Sequence, residues 1–129
     1  MTFTGISPYL YYEDAEAALD WLERVLGFGP RRTHGADGRV EEAEIAVGDL
    51  KVMMTGHAPG PNEGGGALLI IHVDDVDAQY ARVRDALADS DAGGVEASEP
   101  RDEAYGPRTF SVTDPWGYRW YFWQGDANY

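Results

Sequence analysis

One order of segments runs through this chain twice, and that repetition limits the fold more than any single motif. The first half opens on a strand-like run, "ISPYLYY", followed by the acidic pair Glu13-Asp14, which can cap a helix. In "AEAALDWLERVL" the apolar residues Ala15, Ala18, Leu19, Leu22, Val25 and Leu26 recur at helical spacing, and Gly27 ends the run. "FGPRRTH", a turn at "GADG", "RVEEAEIAV", a tight Gly48-Asp49 turn and "LKVMMTG" then read as three strands. The second half keeps the order. "ALLIIHV" is a strand, Asp74-Asp75 the cap, and "VDAQYARVRDALA" carries Val76, Tyr80, Val83 and Leu87 on one helical stripe. Gly93-Gly94 follows, then strands at "VEASEP" and "RTFSVT", a turn at "DPWG" and a last strand, "YRWYFW". Each half therefore reads β-α-β-β-β. The Pro- and Gly-rich stretch "APGPNEGGG", residues 58–66, reads as a linker between a first module, 1–57, and a second, 67–129, within one domain.

Composition narrows the function. At 129 residues the chain is long enough to bury a core without covalent staples. It has no cysteine, which excludes disulfides, thiol nucleophiles and thiolate metal sites together. Its 23 acidic against 10 basic residues give a formal charge of −13. Such a field repels phosphate backbones and anionic lipid, so neither nucleic acid nor a membrane surface is an expected partner, whereas a cation is attracted. No run approaches the roughly 20 apolar residues that span a bilayer. The start, "MTFTGISPYLYYED", lacks the features of a signal peptide, so the expected address is the cytoplasm.

The repeated pattern, with "PYLYYEDAEAALDWLERVLGF", "AEIAVGDLKVMM", "HVDDVDAQYARV" and "YGPRTFSVTDPWGYRWYF", resembles the vicinal oxygen chelate superfamily over nearly the whole chain. That superfamily includes glyoxalase I, bleomycin-resistance proteins, fosfomycin-resistance enzymes and extradiol dioxygenases. The resemblance implies an α+β fold: two βαβββ modules forming a curved mixed sheet around a cup, with the helices on the outer face. It also implies a homodimer and a small-molecule ligand. One such fold hosts many chemistries, so activity has to be argued from the site.

The strand period of two separates the faces. On the last strand Tyr118, Trp120 and Phe122 point one way, and Arg119, Tyr121 and Trp123 the other. Earlier strands split alike: Ile6, Pro8, Leu10 and Tyr12 against Ser7, Tyr9 and Tyr11; Leu50, Val52 and Met54 against Lys51, Met53 and Thr55; Ala67, Leu69, Ile71 and Val73 against Leu68, Ile70 and His72. The first set is largely apolar and suits packing under helices. The second mixes rings with hydroxyl, sulfur, imidazole and basic groups, as a ligand cavity does. The expected ligand-binding set is Tyr9, Tyr11, Met53, Ile70, His72, Arg119, Tyr121 and Trp123.

The resemblance assigns metal-ligand positions to the first and fourth strands of each module, which are Ser7, Met53, Leu68 and Tyr121 here. None suits a divalent ion that prefers oxygen or imidazole, so no metal and no cofactor is expected. Of the three histidines, His34 falls near a turn and His57 at the linker, while His72 has the cup-facing parity. Glu42 and Glu44 share a face opposite Ala43, Ile45 and Val47; Arg119 is expected to meet a ligand carboxylate or Glu44. Tyr105 and Trp116 fall at strand ends or turns, where they could close a lid or simply pack a surface turn. The expectation is a metal-free, bleomycin-resistance-like protein that binds a small aromatic or cationic molecule in an aromatic cup, as in drug sequestration. The alternative is a glyoxalase-like lyase or isomerase, or a dioxygenase-related enzyme, with His72 or Glu44 as base.

Overall fold

Two acidic caps start the two long helices of the computed structural model, which describes residues 1–59, 67–89 and 95–128. Asp14 accepts a hydrogen bond from the Ala17 amide at 3.0 Å, and Asp75 one from the Ala78 amide at 3.0 Å. Each side chain satisfies an amide that has no partner within the helix. The chain divides into two compact units, residues 1–63 and 64–129.

In the first unit, strand β1 (Tyr9–Tyr11) leads into helix α1 (Ala15–Trp21), which continues as a π-helical turn, Leu22–Leu26. Strands β2 (Arg31–Ala36), β3 (Arg39–Val47) and β4 (Leu50–Thr55) follow. The sheet order is β1-β4-β3-β2, with β1 parallel to β4 and the other pairs antiparallel. The β2–β3 turn needs left-handed backbone at both central residues, and Asp37-Gly38 supplies it with φ of 56° and 74°.

The second unit repeats that topology with β5 (Leu68–His72), α2 (Val76–Ala88), β6 (Arg101–Asp102), β7 (Arg108–Thr113) and β8 (Arg119–Gln124), in the order β5-β8-β7-β6. Again the first strand runs parallel to the last. Both sheets are thus four-stranded and mixed, each with a helix on one face, which is the expected βαβββ architecture.

Two expected strands differ. The strand foreseen at Ile6–Tyr12 is β1, three residues long, and Ser7 precedes it, exposed. Regular pairing with β4 begins at Tyr9; Pro8 O still accepts the Met53 amide at 2.9 Å, but the residues before it leave the sheet although β4 itself extends back to Leu50. The strand foreseen at "VEASEP" is reduced to one bridge, Ala97 to Val112; regular pairing with β7 begins later, at Arg101. Most of the foreseen linker, and the Gly93-Gly94 stop, lie outside the described residues.

The apolar parity is buried at the strand centres, whereas Ile6 and Leu50, foreseen on the same face, are 87% and 67% exposed, and Leu69 and Ile71 are half-buried. Leu10, Leu19, Leu22, Ile45, Val52 and Met54 fill the first core. Val76, Val83, Phe110, Val112, Trp120 and Phe122 fill the second, where Phe110 stacks on Phe122 at 5.0 Å and meets Tyr80 of α2 edge-on at 5.5 Å. Burying each such side chain is worth roughly 1.5–3 kcal/mol, which holds the helices to the sheets. Among the described residues no helix is long and apolar enough to cross a membrane.

Candidate functional site

Each sheet leaves the face opposite its helix partly open, and the ladders fix which side chains share it. On the first unit, Tyr9, Met53, Glu44 and Arg32 stand side by side across four strands, and Tyr11, Thr55, Glu42 and His34 form the next row. The Tyr9 hydroxyl donates to Glu42 Oε2 at 2.7 Å. Tyr9 and Tyr11 meet edge-on at 5.7 Å, and Tyr11 packs on His57 at the same separation. Glu44 accepts from Lys51 at 3.0 Å and from Arg32 at 3.3 Å. The Lys51 hydrogen bond, more than any other cause, holds the Glu44 carboxyl below the usual carboxylate range, against the opposing effect of desolvation. A cavity of about 620 Å³ on this unit is lined in part by Ser7, Pro30, Arg32, Glu44, Leu50 and Lys51. A smaller cleft of about 230 Å³ lies among Arg32, His34, Glu42, Glu44 and Met53.

The second unit is built from the same rows with different chemistry. Ile70, Tyr121 and Ser111 form one row; His72, Trp123, Thr109 and Arg101 form the next; Leu68, Arg119 and Thr113 lie on the other side. Trp123 is gripped by two rings, His72 edge-on at 6.0 Å and Tyr105 tilted at 5.6 Å. Its indole N–H is buried and has no acceptor among the described residues. An unmet buried donor costs about 1–3 kcal/mol, so it is an unusual feature to keep. Arg119 lies over the Tyr121 ring at 5.5 Å and donates to Ser111 Oγ at 3.1 Å.

The resemblance to metal enzymes fails at the donor set. Leu68 has no donor, Met53 offers a thioether, Ser7 sits outside β1, and the Tyr121 hydroxyl is engaged with Glu103. Among the described residues no three His, Asp or Glu are grouped to hold an ion. These residues do not fit a divalent metal.

Of the foreseen residues, Tyr9, Tyr11 and Met53 share the first face, and Ile70, His72, Arg119, Tyr121 and Trp123 the second. Arg119 meets Ser111, and Glu44 meets Lys51 and Arg32. His57 is exposed, as foreseen, but its ring lies against Tyr11. Tyr105 is a fixed wall: its carbonyl accepts the Asn128 amide at 2.7 Å, and a Cβ on Gly106 would lie 2.6 Å from Asp126 O. Trp116 takes part in the turn before β8, where its amide donates to Asp114.

Two carboxylates escaped the sequence reading. Glu103, with a side chain only 9% exposed, pairs with Arg101 at 2.7 Å and accepts from the Thr109 hydroxyl at 2.9 Å. Arg101 first, then Thr109, keeps its carboxyl below the ordinary range, and the Tyr121 hydroxyl adds to this. The neighbouring Tyr105 hydroxyl is pushed up by burial and by the Glu103 charge. Glu103 lies in an irregular turn where no periodicity points to it. Asp114 is 3% exposed and accepts from the amides of Trp116 and Tyr118 and from the Trp120 indole N–H, each at 3.0 Å. The "DPWG" signal contained this one, because Asp commonly accepts from amides two residues on.

A family model described as the Glyoxalase/Bleomycin resistance protein/Dioxygenase superfamily matches residues 5–122. The chain belongs to that superfamily. A curated relative, an uncharacterised protein of Mycobacterium bovis, is 28% identical over an alignment 127 positions long that covers 90% of this chain and 80% of the relative. Among solved structures, TioX from Micromonospora sp. ML1 is 27% identical with a TM-score of 0.75, covering 96% of this chain and 100% of that one. TnmS3, an antibiotic binding protein from Streptomyces sp. CB03234, also has a TM-score of 0.75; it is 21% identical and covers 98% and 99%. At that identity the likeness to TnmS3 speaks for the superfamily fold alone.

Proposed function

We propose that this protein binds a small aromatic or cationic organic molecule and holds it without transforming it, as a drug-sequestering protein does. The observation that carries the reading is the pair of half-buried rings, Tyr121 and Trp123, on one open sheet face, with the half-buried Tyr105 and the exposed His72 packed against Trp123. Rings held in place by neighbours lose little freedom when a planar ligand stacks on them, and each such contact adds about 0.5–1.5 kcal/mol beyond the area it buries. On the first unit, Tyr9 and Tyr11 beside Glu42 offer a cation both ring faces and a carboxylate. The antibiotic binding of TnmS3, a neighbour in fold, agrees with the same role.

The enzymatic alternative finds less support. Glu44 is tied to two basic groups, and His72 has no hydrogen bond among the described residues to orient its ring. A general base needs both a free lone pair and a fixed direction. The proposal also takes the protein to be a cytoplasmic homodimer, with Leu68 and Ile70, 50% and 43% exposed, among the side chains that ligand or partner would cover.

A thermal-shift screen of planar aromatic antibiotics against glutathione hemithioacetals tests the reading. The antibiotics should raise Tm, and Tyr121→Ala and Trp123→Ala should remove the rise. A rise that survives both substitutions, or one produced only by the hemithioacetals, overturns it.

A further inference from the structure

The two units place a basic residue at the same point of the same ladder. In the first unit Lys51 sits two residues before Met53, whose cross-strand partner is Glu44. In the second, Arg119 sits two residues before Tyr121, whose cross-strand partner is Ser111. Lys51 reaches diagonally to Glu44 at 3.0 Å, and Arg119 reaches diagonally to Ser111 Oγ at 3.1 Å. The contact is repeated, but the carboxylate has become a hydroxyl. Among the described residues the cation of the second unit therefore keeps its anchor and has no counter-ion.

We infer that Arg119 is the anion-recognition group of the second face, and that the molecule bound there is an aromatic acid whose carboxylate pairs with the Arg119 guanidinium. The inference rests on the proposed binding role of this face and names the chemistry of its ligand.

Arg119 uses Nε and Nη2 on Ser111 Oγ, at 3.4 and 3.1 Å. That occupies one edge of the planar fork and leaves Nη1 with the second Nη2 hydrogen along the other, which matches the two oxygens of a carboxylate. The group is also preorganised. Tyr121 lies under the guanidinium at 5.5 Å, and Ser111 is 6% exposed, with its amide bound to Ser98 Oγ at 2.9 Å. Among the described residues no carboxylate pairs with Arg119. Glu103, which reaches Tyr121, is already taken by Arg101 and Thr109.

The body of that ligand has Tyr121 to stack on and the exposed Leu68 and Ile70 to cover. The net charge of −13 does not decide against an acid. At physiological ionic strength fields fade over roughly 8 Å, so the adjacent group dominates.

Three probes of one shape separate the possibilities: naphthalene-2-carboxylate, its carboxamide, and 2-naphthylmethylammonium, titrated by calorimetry into the intact protein. The carboxylate should bind about tenfold or more tighter than the carboxamide, as expected for a charge-assisted contact. Arg119→Met should erase that preference, so that acid and carboxamide bind alike. Ser111→Asp restores an internal counter-ion and should erase it too; if this buried substitution disturbs folding, the exposed Arg119→Met carries the test alone. Equal binding of acid and amide, a preference that persists in Arg119→Met, or an ammonium probe that binds tighter than the acid overturns the inference and leaves the aromatic-binding role standing. Failure of all three probes to bind the folded protein at millimolar concentration overturns that role and the inference with it.

Discussion

The two hairpins that lead into β4 and β8 occupy the same place in their sheets, yet they are closed by different physics. In the first unit Gly48 and Asp49 connect Val47 to Leu50 directly, with both turn residues exposed and Gly48 at φ 61°. In the second, the wider turn from Asp114 to Tyr118 folds around one buried carboxylate that ties two amides and the Trp120 indole together. The open faces divide in the same manner. The first carries Glu42 and Glu44 among ion pairs, while the second replaces the matching positions with Thr109 and Ser111 and brings in Tyr121 and Trp123. A repeat thus preserves register, where a slip of one residue would turn every side chain over, and lets the outward chemistry diverge.

The strongest way to break this comparison is to remove the carboxylate at each turn. Asp114→Ala strands three donors in the second unit and should cost roughly 3 kcal/mol or more in denaturant unfolding. Asp49→Ala, in the matching exposed turn, should stay within about 0.5 kcal/mol. Equal losses at both turns would show that the two hairpins are closed alike.

The comparison sharpens at low pH. Glu103 and Asp77 in the second unit, and Glu23 and Glu44 in the first, are all held below their ordinary ranges by hydrogen bonds to basic partners. A depressed folded pKa means stability that is fully present above the unfolded value, near 4, and is lost as pH falls through the lower folded values. Tm should therefore decline below about pH 4. Glu103→Gln should flatten part of that decline and be less stable at neutral pH, where the Arg101 pairing is lost; an unchanged profile would remove Glu103 from the account.

Smallest is Tyr9→Phe, which deletes the Glu42 hydrogen bond from an exposed position and should change stability by less than about 0.5 kcal/mol.

The core and the register were readable from the chain because both follow from periods. The alternation in "YRWYFW" places Trp120 and Phe122 inside and Tyr121 and Trp123 on the open face, and burial alternates in the same way. The helical stripe in "AEAALDWLERVL" is buried throughout, even though its second part winds as a π turn, because the same side chains still face the sheet. What the periods do not contain is contact across an irregular turn. Glu103 reaches Thr109 and Arg101 only because the Glu103–Pro107 turn doubles back, with Glu103 N donating to Pro107 O at 2.9 Å. The shortness of β1 was equally hidden, since "ISPYLYY" alternates on both sides of the three residues that pair, and nothing in that alternation marks Tyr9 as the first to join β4.

Each sheet joins its first strand to its last, Tyr9 beside Met53 and Ile70 beside Tyr121. A ladder of that kind closes the longest loop in its unit, so its entropy must be met before its hydrogen bonds repay it. During synthesis neither sheet can acquire its edge strand until the unit's final strand has left the ribosome. The first unit reaches that point with β4, before the last strand of the second has to emerge, so the repeat lets the nascent chain complete its folding in two instalments.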